Sequence, residues 1–232
     1  AMIAGKLGRP GCGVTPIRGQ NNVQGACDMG ASPTDFPGYQ KVNNPEVVAK
    51  FEKAWGVKLS DQPGMFATDC FPAMIGGKIK GLFIFGEDPM RTDPDTHHVQ
   101  KALSSLDFLV VDELFMTETA KMADVILPGI SYAEKEGTFT NSERRIQRVR
   151  KAVTSPGNAR PDTEIFTELM NRMGYPQPKL TPAQIMDEIA SLTPSYGGVS
   201  HQRLDNEVDG QGLQWPCPAP DHPGTPIPPA GR

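Results

Sequence analysis

Ile79-Lys80-Gly81-Leu82-Phe83-Ile84-Phe85 is a short apolar run that stops at Gly86-Glu87-Asp88-Pro89. A helical stretch follows near 95–105, and Phe108-Leu109-Val110-Val111 is a second apolar run. Strand, helix, strand at this spacing predicts a βαβ unit, because two parallel strands need a long crossover and that crossover is right-handed. A second short helix near 117–122 and the run Val125-Ile126-Leu127 extend the unit. The fold class is therefore α/β with a parallel sheet.

Upstream, residues 45–56 place apolar side chains at 47, 48, 51, 54 and 55, with Pro45 at the start and Gly56 at the stop. This predicts an amphipathic helix with a proline entry and a glycine exit. Residues 8–40 are rich in Gly, Asn, Gln and Pro without helical or strand periodicity, which predicts a long polar loop of the kind that carries function. The first eight residues read as the last turn of a helix ending at Gly8, so the expected N-terminus is truncated.

Downstream, Thr138 to Val149 alternates imperfectly around Asn141-Ser142 and predicts a hairpin or two short strands. Helices are expected near 162–174 and 182–192, the second with Thr181 as N-cap and Pro182 at the first helical position. Prolines 216, 218, 220, 223, 226, 228 and 229 crowd the end, which predicts a tail without helix or strand.

The 232 residues are 38% hydrophobic with a formal charge of −4, enough for a packed core and against a broad basic surface for nucleic acid. Cys12, Cys27, Cys70 and Cys217 are far apart, with no C-x-x-C pair, so no metal ligand set is expected within the chain. No apolar run of about 18 residues and no signal-peptide pattern occur, which predicts no membrane insertion.

Ligands of open parallel sheets bind outside the carboxyl ends of the strands. Here that position is Gly86-Glu87-Asp88-Pro89, where a glycine admits a ligand to the backbone and a carboxylate can accept from the N–H edge of a guanine. An ordinary turn accounts for the same four residues. No G-x-G-x-x-G, Walker or G-x-S-x-G pattern is present. The segment Arg18-Gly19-Gln20-Asn21-Asn22-Val23-Gln24-Gly25-Ala26-Cys27-Asp28-Met29-Gly30 could present the arginine's donor fork to a small carboxylate. A structural arginine paired with Asp28 or another acid is the alternative.

That segment, followed by Phe36-Pro37-Gly38-Tyr39, resembles the signature of formate dehydrogenase catalytic subunits in the molybdopterin oxidoreductase family. Gly86-Glu87-Asp88-Pro89, Phe115 to Ala120, Ala123 to Pro128, Glu134 to Asn141 and Gln214 to Cys217 agree with it in order, so the likeness covers roughly residues 1–218. The resemblance implies two-electron oxidation of formate to carbon dioxide, or its reverse, at molybdenum or tungsten held by bis(molybdopterin guanine dinucleotide). By carry-over, Arg18 binds the formate carboxylate and Gln20 lies against the cofactor. Gly86, Glu87, Asp88 and Thr92 contact the guanine nucleotide end, and Asp112, Gly129 and Asp162 line the same groove. The family pattern has Gln then Asp at 112 and 113 and Ser at 129, so Gly129 offers only backbone.

The architecture so implied is a three-layer parallel-sheet core, like that of formate dehydrogenase and DMSO reductase, with a small hairpin-plus-helices extension. Residues 1–39 are expected as a substrate and cofactor loop, 40–131 as the cofactor-binding α/β domain, 132–218 as hairpin and helices of neighbouring domains, and 219–232 as tail. The resemblance implies that the family's metal-ligating Cys or Sec, its 4Fe-4S cysteines and its C-terminal domain belong to parts of the subunit outside this stretch. The expected partners are formate, those missing parts and an electron-transfer iron–sulfur subunit, in the cytoplasm, and the isolated fragment is expected to be inactive. The rival readings are a non-catalytic assembly module and another molybdopterin oxidoreductase.

Overall fold

The computed structural model describes residues 3–6, 12, 17, 19–206 and 211–224. In chain order the elements are α1 (Val23–Asp28), β1 (Asp35–Phe36), β2 (Gln40–Lys41), α2 (Pro45–Trp55), α3 (Ala67–Ile75), β3 (Gly81–Phe85), α4 (Pro89–Thr92), α5 (Thr96–Leu103), β4 (Phe108–Glu113) and β5 (Val125–Pro128). Then come β6 (Gly137–Thr140), β7 (Arg145–Val149), α6 (Asp162–Arg172), α7 (Pro182–Leu192), α8 (His201–Asn206) and β8 (Leu213–Gln214). They divide between two compact units, one drawn from Ala1–Gly64, Glu136–Val149 and Leu180–Arg232, the other from Met65–Lys135 and Arg150–Lys179.

The second unit is the α/β core. Its sheet has the order β3-β4-β5, all parallel, with Gly81 opposite Phe108 and Val110 opposite Val125. Side chains alternate across a strand, so Ile84, Leu109 and Val111 turn to one face, where they pack on Met74 of α3 and Val99, Ala102 and Leu103 of α5. Phe83 and Phe85 turn to the other face and meet Phe166 of α6, with ring centroids 5.7 and 5.3 Å apart. The result is three layers, as the resemblance implies. The crossover helix α5 starts where Asp95 accepts a hydrogen bond from the His98 N–H at 3.0 Å, satisfying one of the orphan donors of a helix start.

The first unit holds the antiparallel sheet β6-β7-β8, with Gly137 opposite Val149 and Ile146 opposite Leu213. Ile146, Met186, Tyr196, Val199, Leu204, Leu213 and Cys217 form its core. Helix α2 has the signals read from the sequence: Asn44 caps it by accepting from the Glu46 and Val47 N–H groups, Pro45 opens it, and Gly56 ends it at φ 68°. Helix α7 begins with the Thr181–Gln184 capping box.

The structure departs from the sequence-based expectations in several places. Residues 8–40, expected as loop, build α1 and the β1–β2 pair. Helix α3 has no clear signal because Pro72 sits inside it; burial of Met74 offsets the lost backbone bond. The α/β unit begins at Met65, so α2 falls in the other unit, and α6 joins the α/β unit. The short helix near 117–122 is a 3-10 turn at Ala120–Met122. Residues 216–224 carry no helix or strand, while the rest of the tail lies outside the described residues. Residues 3–5 form a turn with Gly5 at φ 60°; Gly8, the expected helix stop, is likewise outside them. No described helix is long and apolar enough to cross a membrane.

Candidate functional site

In a parallel sheet every strand ends on the same edge, which brings Gly86, Asp112 with Glu113, and Gly129 side by side after β3, within β4 and after β5. Gly86 has φ 61° and donates its N–H to the Asp112 carbonyl at 2.9 Å. That left-handed turn is the reason for glycine, since an added Cβ would meet nothing within 4 Å. Glu87 and Asp88 follow at the start of α4. Asp88 Oδ1 accepts from the Thr119 N–H at 3.1 Å and from its hydroxyl at 2.5 Å, and Thr92 donates its hydroxyl to Glu87 Oε1 at 2.7 Å. Within the described residues these bonds fasten the β3 exit to the Thr119 turn.

Asp112 has the most unusual surroundings. It is 2% exposed, and its Oδ2 has no hydrogen-bond partner among the described residues. Burial first, then the charges of Asp162 and Glu113, push its carboxyl up to about 6, opposed by Lys135. Asp162 opens α6, where the helix dipole favours an acid, and it is ion-paired with Lys135. Gly129 completes the group: a Cβ there would lie 2.5 Å from Asp112 Oδ1 and 3.4 Å from Asp162 Oδ1. The two carboxylates therefore occupy the room a side chain at 129 would take.

The polar segment that carries the resemblance lies in the other unit. Arg18 lies outside the described residues; Gln20 is exposed, just ahead of α1. Asn22, at φ 62°, accepts the Thr140 N–H of β6 on its Oδ1 at 2.9 Å. Asp28, at the other end of α1, is fully buried. Its Oδ1 accepts from Gln24 Nε2 at 2.8 Å and Tyr39 Oη at 2.7 Å, and its Oδ2 accepts from Tyr196 Oη at 2.8 Å. The Arg144 guanidinium stands 3.5 Å from Oδ1 and lies over the Trp215 ring at 3.8 Å. Burial, then Asp28, raise the Tyr39 phenol, with Arg144 opposing; burial dominates the rise at Tyr196. Asp28 thus draws four donors among the described residues.

The expected residues Gly86, Asp112, Gly129 and Asp162 share one edge, with Glu87, Asp88 and Thr92 beginning the adjoining helix. Gln20 is in the other unit. Thr119, Lys135, Arg144 and Tyr196 were not singled out from sequence, and Tyr39 only as part of the motif that carries the resemblance. Thr119 and Lys135 lie inside stretches that carry the resemblance, but nothing local marks either as a partner of Asp88 or Asp162.

A family model for molybdopterin oxidoreductase matches residues 1–172. The chain is 53% identical over 231 residues to F420-dependent formate dehydrogenase 2 subunit alpha of Methanococcus maripaludis, covering 98% of this chain and 33% of that protein. It is 50% identical over 233 residues to F420-dependent formate dehydrogenase subunit alpha of Methanocaldococcus jannaschii, with the same coverage of 98% and 33%. The chain therefore spans about a third of the length of these curated relatives. Among solved structures, acetylene hydratase from Pelobacter acetylenicus superposes with a TM-score of 0.50 at 22% identity, over 74% of this chain and 26% of that one, a likeness of fold alone. The family match runs from the polar segment through the three parallel strands and into α6, and on that extent the chain belongs to the molybdopterin oxidoreductase family.

Proposed function

We propose that this chain is part of a subunit that oxidises formate to carbon dioxide, reversibly, and is inactive alone. The observation that carries the reading is about half identity to formate dehydrogenase alpha subunits along almost the whole chain. Arg18-Gly19-Gln20-Asn21-Asn22-Val23-Gln24-Gly25 supports it through chemistry: a guanidinium holds a small carboxylate with two parallel bonds and stays charged at any working pH. Arg18 then orients formate and stabilises charge, with no proton to transfer. Gln20 lies against the cofactor.

The family supplies a molybdopterin cofactor; its bis(guanine dinucleotide) form with molybdenum or tungsten belongs to the proposal. The carboxyl edge of the sheet fits a nucleotide carrying N–H donors. Among the described residues Asp112 offers a buried oxygen without a donor, and such an atom costs roughly 1–3 kcal/mol until a partner arrives. Gly86 leaves open space at the backbone. In this reading Gly86, Glu87, Asp88 and Thr92 hold the guanine end, Asp112 accepts from it, Gly129 contributes backbone, and Asp162 with Lys135 closes the groove. When bound, the metal centre would accept the two electrons of formate. A 4Fe-4S cluster elsewhere in the subunit and an iron–sulfur partner would carry them away, in the cytoplasm.

The test is formate-dependent dye reduction, with metal and guanine nucleotide analysis, on a subunit of the relatives' length carrying this sequence, on its Arg18→Ala variant and on the 232-residue chain. The expected result is an active, loaded parent, a variant that keeps the cofactor and loses most activity, and a chain with neither metal nor activity. A loaded parent that ignores formate, or an unimpaired variant, would assign the site to another substrate.

A further inference from the structure

We propose that Asp112 exchanges a proton for hydrogen bonds when a guanine base binds the carboxyl edge of the sheet, so that the site loosens as pH falls below neutrality; the inference rests on the nucleotide reading above. All of its parts lie in the α/β unit. Asp112 is next to last in β4, with Phe85 of β3 and Leu127 of β5 opposite it. Its carboxyl is buried, and Oδ2 finds no donor among the described residues. A buried carboxylate with an empty acceptor position is unfavourable. Two events relieve it: a proton on the carboxylate, or ligand N–H groups bonded to it. Guanine carries adjacent N–H groups on one edge and supplies the second.

The charged groups that face Asp112 decide which event prevails. Asp162 at the start of α6 and Glu113 on β4 disfavour its ionised form, and Lys135, ion-paired with Asp162, favours it. The other acids of the edge, Glu87 and Asp88, are bonded to Thr92 and Thr119. Burial adds to the acids, and the carboxyl is pushed up to about 6, so without a ligand it holds a proton in mildly acidic solution. A ligand that presents N–H donors requires the ionised form: the carboxyl O–H bond breaks, the proton leaves to solvent, and the freed oxygen accepts from the ligand. The two glycines keep side chains out of the way. A Cβ at Gly129 would lie 2.5 Å from Asp112 Oδ1, and Gly86, whose N–H bonds the Asp112 carbonyl, leaves open space. The Lys135 and Asp162 side chains are 30% and 17% exposed, which puts the carboxyl close beneath the surface. An exposed aspartate, ionised above about pH 4, would give no linkage in this range.

The experiment titrates guanosine into the full-length subunit, prepared without cofactor, by calorimetry in two buffers of different ionisation enthalpy. Guanosine is the probe because a phosphate would itself titrate near about pH 6. With the carboxyl at about 6, affinity should fall about 5- to 10-fold from pH 7.5 to pH 5, and close to one proton should be released per guanosine at pH 5, close to none at pH 7.5. Adenosine, whose edge sets one donor beside an acceptor, should release none. Asp112→Asn should abolish both the proton release and the pH dependence, and Glu113→Gln should keep the release. Guanosine affinity that changes less than about twofold between the two pH values, or that rises at pH 5, overturns the inference. So does equal proton release with adenosine or from Asp112→Asn, and so does the absence of guanosine binding at both pH values. If Asp112→Asn does not fold, Asp162→Asn decides: removing one repelling charge moves the loss of affinity to lower pH if the inference holds, and an unmoved loss refutes it. Guanine nucleotide in the loaded, formate-oxidising subunit together with a failed titration strikes the proton exchange alone. Proton release from a subunit that ignores formate keeps the exchange and strikes the substrate.

Discussion

Asp112→Asn tests the electrostatics of the sheet edge directly. Burial and the nearby Asp162 raise the Asp112 carboxyl from an ordinary 3.8 to about 6. The gap is about two units, and one unit corresponds to ~1.4 kcal/mol, so the ionised form costs the folded unit roughly 3 kcal/mol. Because the folded value is the raised one, the native state holds this proton more tightly than the unfolded chain. The associated stability is fully present below pH 3.8, drains away as pH rises toward 6, and is absent at pH 7.5. Asparagine keeps the shape and removes the charge, and its amide can donate toward Asp162.

The prediction is that amides of β4 and α6 exchange up to about 100-fold more slowly in Asp112→Asn than in the parent at pH 7.5, with the gap closing near pH 4. Exchange in named elements is the right assay because the chain has two units and one unfolding midpoint would mix them. The comparison must be between the two proteins. Asp35, held low by Lys41, Thr34 and Ser32 against its burial, and Glu168, held low by Arg172 and Arg160, add stability as pH rises through the acid range in both. A variant that exchanges as fast as the parent at pH 7.5, or a gap that does not change with pH, would refute the reasoning. A carboxyl carbon resonance of Asp112 titrating near 4 would do the same.

Three further outcomes follow from single contacts. Gly129→Ala should destabilise the α/β unit by about 1–3 kcal/mol through the clash with Asp112 Oδ1, and Asp112→Ala in the same chain should restore most of it, as a double-mutant cycle of β5 amide exchange will show. Tyr196→Phe removes the donor to Asp28 Oδ2, and β6–β7 exchange should report a loss of roughly 1–3 kcal/mol; an unchanged rate would mean that another donor replaces it. Asn44→Ala removes the acceptor for the Glu46 and Val47 N–H groups, and should cost α2 about 1 kcal/mol by exchange or circular dichroism.

What was legible in the sequence is what short-range physics decides. Apolar runs at 79–85, 108–111 and 125–127 became β3, β4 and β5, since near-continuous apolar runs are the pattern of parallel strands. Asn44-Pro45, Gly56 and Thr181-Pro182 marked helix ends because capping is settled within a turn of the chain. The polar segment at 18–30 marked the family, and Gly86-Glu87-Asp88 marked the exit of β3 at the carboxyl edge of the sheet.

The tertiary structure alone decided the rest. Helix α1 is six residues long with no apolar stripe, so its stability comes from Asp28 meeting Tyr196, which stands 168 positions away. Helix α3 contains a proline that local propensity rejects, and its packing against α5 and the sheet overrides that preference. Asp112 and Asp162 entered the sequence reading through the resemblance alone, and nothing local in the sequence shows that they meet. Folding brings both to the vacant side of Gly129, where burial of Asp112 and the nearby Asp162 charge raise the Asp112 carboxyl. Charge and burial depend on neighbours distant in the chain, which periodicity and capping signals do not encode; the sequence by itself determined the strands, the caps and the family, and only packing determined which acids meet and at what cost.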